Sequence, residues 1–210
     1  MHLRIAWLTL LCLMLVAAPA WGQQILYSNG PINGTVDAWT INFGYIVSDT
    51  FTLVDKSTVG GFDLGVWEFP GDTVLSVDWS ITAQEQGGHL YASGTANVTD
   101  KFISANQYGY NIDEITATGL NVPLNANTYW LNIGNAKVTN GDPVYWDENN
   151  GVGCNSPGCP SEPSQNSEGT ILSESFDVTG PGTVPEPGSI VLFGSGALGM
   201  AGLLVRKLFR

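Results

Sequence analysis

The chain is poor in charge, and above all in positive charge. Only 12% of its 210 residues are charged, and 7 lysines and arginines stand against 19 acidic residues. Residues 23–183 hold 18 of those acidic residues and only Lys56, Lys101 and Lys137, which gives this part a formal net charge of −15. Such a surface repels nucleic acid and favours cations. We therefore expect no nucleic-acid partner.

Histidine is also scarce, which leaves few ways to build a catalytic site. His89 is the only histidine between residues 23 and 183, and it follows the Gly87-Gly88 turn. No Gly-x-Ser-x-Gly nucleophile elbow occurs in that body, and the adjacent carboxyls of Asp113 and Glu114 would face apart on a strand. We expect no catalytic residue, no cofactor and no enzymatic activity. A glycan hydrolase is the remaining enzymatic alternative.

Of the three cysteines, Cys12 lies in the N-terminal apolar run, so two remain in the body. Cys154 and Cys159 are separated by a Pro157-Gly158 turn signal that would bring them together. A local disulfide in an oxidising compartment is predicted. A metal site is the alternative, although two thiols without a nearby histidine do not make a zinc cage.

Helical periodicity is hardly visible in residues 23–178. Apolar and polar residues instead alternate with period two, in runs bounded by Gly, Asn, Asp and Pro. The runs are 36–43, 45–54, 59–69, 74–84, 89–98, 108–118, 128–138 and 171–178, with a looser one at 144–146. This pattern predicts an all-β domain, an antiparallel β-sandwich of the jelly-roll kind. Residues 147–169 are expected to form a long irregular loop that is clipped by the disulfide within it.

The N-terminus has the layout of an export signal. A basic start is followed by an apolar run from Ile5 to Ala17 and by the small residues Ala20 and Gly22. This order predicts a signal peptide over residues 1–22, removed by signal peptidase.

The C-terminus has the layout of a second targeting signal. Pro185, Glu186 and Pro187 form an extended, accessible triplet, because proline lacks an amide donor and fixes φ. A predicted transmembrane helix follows over residues 189–205, with about 27 Å available from Gly188 to Val205 against a ~30 Å bilayer core. The basic residues that end the chain are Arg206, Lys207 and Arg210. They favour a cytoplasmic C-terminus, which leaves the preceding domain outside.

A Pro-Glu-Pro triplet, an apolar helix and a basic tail in this order resemble the PEP-CTERM sorting signal. The resemblance implies that an exosortase, a membrane protease, recognises Pro185, Glu186 and Pro187 after export in a bacterium that makes extracellular polysaccharide. The chain then divides into a signal peptide (1–22), an ectodomain (23–178), a linker (179–183) and the sorting signal (184–210). The alternative is a permanent C-terminal membrane anchor. The segments 29–35, 128–135 and 141–151 also resemble ectodomains of PEP-CTERM proteins, a likeness that implies no activity.

The body contains Trp39, Trp67, Trp79, Trp130 and Trp146. Tryptophans 67, 79 and 130 lie in alternating runs and are expected in the core. Tyr145 and Trp146 are followed by oxygen-rich side chains, so they are candidate ligand contacts at a loop edge, where an aromatic ring would stack on a sugar.

The same segment holds the candidate metal ligands Asp142, Asp147 and Glu148. Together with backbone carbonyls they would make a simple calcium site, but the spacing excludes an EF-hand. Turn formation is the alternative role for these residues, and it is the one we favour.

These observations predict an exported, non-enzymatic surface or matrix protein, sorted by an exosortase and associated with exopolysaccharide or biofilm. Its membrane residence would be transient, at the inner membrane, before it reaches the cell surface or the medium. A carbohydrate-binding β-sandwich module is the alternative function.

Overall fold

A computed structural model describes residues 23–181, and every regular element within that range is a β-strand. None of the described elements is a helix long and apolar enough to cross a membrane. The predicted signal peptide (1–22) and the sorting signal with its helix (184–210) lie outside the described residues. Residues 24–181 form one compact unit.

Twelve strands make up this unit. They are β1 (Gln24–Ser28), β2 (Asp37–Thr40), β3 (Ile46–Leu53), β4 (Ser57–Glu68), β5 (Val74–Gln84), β6 (Gly87–Ala105), β7 (Asn111–Leu124), β8 (Asn127–Val138), β9 (Tyr145–Glu148), β10 (Ser164–Gln165), β11 (Gly169–Thr170) and β12 (Phe176–Gly180).

All pairings between these strands are antiparallel, which confirms the predicted class. The strands follow one hydrogen-bonded path in the order β1-β12-β4-β7-β6-β5-β8-β3-β10-β11. Strand β9 pairs with β4 off this path, and β2 pairs with β9. The sheet is continuous because β6 is long enough to change partners. Its residues 87–97 pair with β5, and its residues 98–105 pair with β7.

The sheet curls, so that strands far apart along the path meet across the core. Tyr27 of β1 and Phe51 of β3 have ring centroids 6.4 Å apart. The inward residues belong to one apolar cluster, in which Leu64 and Ile115 come from one half of the sheet and Ile133 from the other. Period-two alternation of apolar residues, as at Val77, Trp79 and Ile81 of β5, places one face of a strand in this core.

The predicted core tryptophans are in part confirmed. Trp67 and Trp79 are buried, Trp130 is half-buried, and Trp146 is fully buried as well.

Two predicted turns can be compared with the structure. At Pro70-Gly71, Asp72 N donates to Phe69 O over 3.0 Å, and Gly71 has φ +94°. A positive φ is what glycine supplies at this position of a turn. The hairpin between β5 and β6, however, turns at Glu85 and Gln86, while Gly87 and Gly88 already belong to β6. The glycine pair indicated the hairpin but not its tip.

The two ends of the unit lie side by side. Strand β1, which the sequence pattern did not reveal, pairs with β12 from Gln24 opposite Gly180 to Ser28 opposite Asp177. Strand β12 thus extends through Thr179 and Gly180, two residues into the segment predicted as a linker. The chain therefore enters and leaves the unit at the same edge.

A buried polar network lies beneath the loops that follow β1 and β9. Asn29 is fully buried, and its Nδ2 lies within hydrogen-bond distance of Asp49 Oδ2 at 3.3 Å, Ser161 Oγ at 2.8 Å and Ser173 Oγ at 2.7 Å. Asp49 Oδ2 also accepts the backbone N–H of Glu174 at 3.0 Å. Burial raises the pKa of Asp49 to about 7. Four separate segments of the chain meet in this network.

Candidate functional site

The described part of the chain carries an aromatic patch at the end of β4. It comprises Phe69, Tyr108, Tyr110 and Tyr145, with Trp67 beneath them. These rings come from three places: the end of β4 and the residue after it, the turn between β6 and β7, and the start of β9.

Asn106 holds the turn between β6 and β7 through both its backbone and its side chain. Asn106 Oδ1 accepts the backbone N–H groups of Tyr108 and Tyr110, each at 3.0 Å. Gly109 adopts φ +88°, a conformation that costs glycine little. A short asparagine-capped turn therefore places both tyrosines over Trp67.

The rings of the patch are in direct contact. Tyr108 stacks on Trp67 with centroids 5.7 Å apart and planes inclined by 20°. Tyr110 lies 5.8 Å from Trp67, 5.0 Å from Phe69 and 5.6 Å from Tyr145. Tyr108 is 55% exposed and Phe69 39% exposed, whereas Trp67 is only 5% exposed. Rigid, partly exposed aromatic rings of this kind offer an apolar surface with polar tips.

The patch contains one of the two predicted ligand contacts. Tyr145 is half-buried within it, and burial together with the Tyr110 hydroxyl raises the pKa of Tyr145 to about 12, so its hydroxyl stays neutral. Trp146 points to the other face, as adjacent strand residues do. It is fully buried, its Nε1 donates to Ser175 O at 2.9 Å, and it contacts Phe176. Trp146 therefore offers no surface to a ligand in this structure.

The predicted calcium ligands do not share one environment. Asp142 is exposed, whereas Asp147 and Glu148 are buried in β9. Asp147 accepts four hydrogen bonds: Oδ1 from Trp67 Nε1 at 2.6 Å and Gly34 N at 2.9 Å, Oδ2 from Asn33 N at 2.9 Å and Ser175 Oγ at 3.0 Å.

Glu148 accepts a hydrogen bond from Trp39 Nε1 at 2.8 Å. Burial is the main cause that raises the pKa of both Asp147 and Glu148. Protein donors thus occupy the oxygens of Asp147, and calcium binding by Asp142, Asp147 and Glu148 stays a prediction.

A polar groove lies on strands β5, β6 and β8. It has a volume of about 460 Å³, and its polar lining includes Asp78, Ser80, Gln86, Thr95, Asn132 and Asn135. Asp78 accepts hydrogen bonds from Thr95 and Asn135, which lower its pKa. These residues lie on three strands and the turn between two of them, so no local sequence motif could have revealed the groove.

His89 lies on the surface, in strand β6. It is exposed at the start of β6, and its ring meets that of Tyr91 edge-on at 4.7 Å.

The predicted disulfide is present. Cys154 and Cys159 are bonded, with their Cα atoms 6.0 Å apart. The loop that contains them packs against the start of the unit, since Ser156 Oγ accepts the backbone N–H of Ser28 at 2.9 Å. The disulfide therefore closes a short loop next to β1.

Comparison with known protein families gives a match at the C-terminal end of the chain. Residues 183–207 match the PEP-CTERM protein-sorting motif. They include the predicted triplet Pro185-Glu186-Pro187, the whole of the predicted helix, and Arg206 and Lys207. A comparison with curated proteins finds no match. The chain therefore carries the PEP-CTERM sorting signal that its sequence predicted, which indicates an exported protein sorted by an exosortase.

Proposed function

We propose that this chain is a non-enzymatic surface or matrix protein that an exosortase delivers among secreted exopolysaccharide. The observation that carries the proposal is the sorting motif at residues 183–207. The domain before it is compact, acidic and poor in histidine, which suits a structural component of a hydrated extracellular layer. In this proposal, the C-terminal helix predicted from the sequence anchors the protein at the inner membrane only until the exosortase acts.

The experiment follows the exported protein in its own host. Antibody to the ectodomain is used to ask whether the processed protein cosediments with the host's exopolysaccharide and leaves that fraction when the polysaccharide is degraded. Association that depends on polysaccharide supports the proposal. A processed protein that stays freely soluble beside intact polysaccharide contradicts it.

A carbohydrate-binding role is the second candidate, and the aromatic patch favours it. Tyr108 and Phe69 are exposed beside the half-buried Tyr145, and Trp67 supports them from beneath. Replacing one exposed tyrosine in such a contact would cost about 1–2 kcal/mol, or a five- to thirtyfold loss of affinity.

The matched variants are Tyr108→Ala and Tyr45→Ala. Both tyrosines are exposed, at 55% and 39%, but Tyr45 precedes β3 and is not among the rings of the patch. Each protein is titrated with polysaccharide, and binding is monitored by tryptophan fluorescence. Only Tyr108→Ala should bind more weakly than the wild type. Equal binding by both variants and the wild type would remove the patch from consideration. A turnover assay on the same glycans separates binding from hydrolysis.

We also propose that the domain is a β-sandwich. The two halves of the curled sheet would be its two layers, with the apolar cluster between them. The long strand β6 would cross from one layer to the other.

A further inference from the structure

Three carboxyl groups converge on the inner side of the sheet at the end of β4. Glu68 is the last residue of β4, Asp113 lies near the start of β7, and Asp100 lies on β6. Asp113 is opposite both Val66 of β4 and Phe102 of β6, so it is a diagonal neighbour of the other two carboxyl residues. Diagonal neighbours in a sheet are within reach of long side chains.

The three groups are close and deeply placed. One carboxylate oxygen of each lies within 4.8 Å of the corresponding oxygens of the other two. Glu68 is 1% exposed and Asp113 is 2% exposed, while Asp100 is half-buried and so leaves a route from solvent.

Part of this oxygen set has no protein partner. Glu68 Oε2 and Asp113 Oδ1 are buried without a hydrogen-bond donor. Asp72, in the turn after β4, also has a buried oxygen without a donor, its Oδ2. Its other oxygen, Oδ1, accepts a hydrogen bond from Asn140 Nδ2 at 2.6 Å. Buried polar atoms are paired in the great majority of folded proteins, so a group of orphaned carboxyl oxygens calls for a specific cause.

The electrostatics add to this. Burial comes first among the causes that raise the pKa of Glu68, and the charges that act on it, those of Asp100, Asp113 and Asp72, are all negative. Lys101, one residue from Asp100, forms an ion pair with Glu114 at 3.1 Å instead. Buried carboxylates of like charge are costly unless a proton or a cation compensates them.

We propose that Glu68, Asp100 and Asp113 bind one calcium ion, with Asp72 beside it as a fourth carboxylate. Calcium takes carboxylate oxygens at about 2.3–2.6 Å, so two ligands on opposite sides of one ion are about 4.6–5.2 Å apart. The mutual distances below 4.8 Å fit this limit. Calcium also accepts irregular sets of six to eight oxygens, which water would complete here. The affinity expected for an extracellular module is a Kd of about 0.1–1 mM.

Such an ion would join three strands and the turn after β4 at one point. Glu68 lies between Trp67 and Phe69, so the same ion would hold the base of the aromatic patch. This proposal does not depend on the proposed extracellular role, and a separate experiment tests it.

The test is isothermal titration of the full chain in detergent with CaCl₂ after EDTA treatment, together with thermal unfolding at 0–10 mM calcium. The wild type should bind one calcium ion in the millimolar range or tighter and melt at a higher temperature with calcium. Glu68→Gln combined with Asp113→Asn should lose both responses. The control Asp55→Asn, in an exposed aspartate between β3 and β4, should keep both.

The two substitutions could change the stability of the protein by themselves. Thermal unfolding in EDTA measures this change without calcium, so it can be separated from a loss of calcium binding. Removing two buried carboxyls of like charge should raise the melting temperature of the calcium-free protein, so the variant should be folded and yet indifferent to calcium. Two results would overturn the proposal: no calcium binding by the wild type up to 10 mM, or a calcium response in the double variant equal to that of the wild type. In the first case a shared proton, rather than a cation, compensates the cluster.

Discussion

Trp67 and Asp147 are joined by a hydrogen bond of 2.6 Å from the indole Nε1 to the carboxylate Oδ1. This bond ties the base of the aromatic patch to β9. The other donors to Asp147 come from the loop after β1, through Asn33 and Gly34, and from Ser175 just before β12. One buried carboxylate thus holds together the beginning, the middle and the end of the domain.

Asp147→Ala should therefore destabilise the fold strongly. The substitution leaves the buried indole N–H of Trp67 and three further donors without their acceptor, and each unsatisfied buried donor costs about 1–3 kcal/mol. The free energy of unfolding, measured by urea titration, should fall by about 3 kcal/mol or more. Asp142→Ala, a change in an exposed aspartate five residues earlier, should stay within about 0.5 kcal/mol of the wild type. Equal effects of the two substitutions would show that Asp147 does not hold these parts of the domain together.

Much of the fold was predictable from residue alternation. The run 74–84 corresponds to β5 (Val74–Gln84), and 128–138 differs from β8 (Asn127–Val138) by one residue. Both strands have one face in the core, so their apolar period is clear. The second half of β6 was missed because its residues 99–105 are mostly exposed and carry no regular alternation.

The sites were less predictable, because they depend on contacts between distant segments. Tyr145 and Trp146 were predicted as ligand contacts from the residues next to them in sequence. Trp146 is covered, however, by Ser175 and Phe176, which lie about thirty residues later in the chain. Glu68, Asp100 and Asp113 lie on three strands and form no local motif. The sorting signal, by contrast, is a linear feature, so the sequence was sufficient to find it.

The buried carboxyl of Asp49 makes stability depend on pH. Burial raises its pKa to about 7, against about 3.9 for an exposed aspartate in the unfolded chain. Between these values the folded protein keeps a proton that the unfolded chain has released. The free energy of unfolding should therefore fall as the pH rises from about 4 to 7, by an amount on the order of a few kcal/mol.

Urea titrations at several pH values would measure this slope. Asp49→Asn cannot titrate, so its free energy of unfolding should fall less steeply over the same range, whatever its absolute value. Glu174 should leave a residual slope of the same sign, since burial and neighbouring carboxylates raise its pKa as well. Identical slopes for the variant and the wild type would show that Asp49 is ionised in the folded protein at neutral pH.

The exported protein should contain no free thiol. Cys154 and Cys159 are bonded, and Cys12 is removed with the predicted signal peptide. Alkylation of the non-reduced mature protein, followed by mass determination, should add no label. Cys154→Ser should lower the free energy of unfolding by less than the ~3 kcal/mol expected for a 15-residue loop, because the loop closed here is shorter. Two labelled cysteines without reduction would contradict this account.

The central claim is that the C-terminal segment is a processed sorting signal, and pulse-chase fractionation tests it most directly. Replacing Pro185, Glu186 and Pro187 by alanine leaves the apolar span and its basic end intact, so membrane insertion should proceed while exosortase recognition fails. Pro181→Ala, in a proline outside the triplet, is the matched control. In a host with an active exosortase, the wild type and the control should become shorter and leave the membrane, whereas the triple variant should accumulate there at full length. If all three keep the same full length and stay equally membrane-bound, the segment is a permanent anchor and the sorting account is wrong.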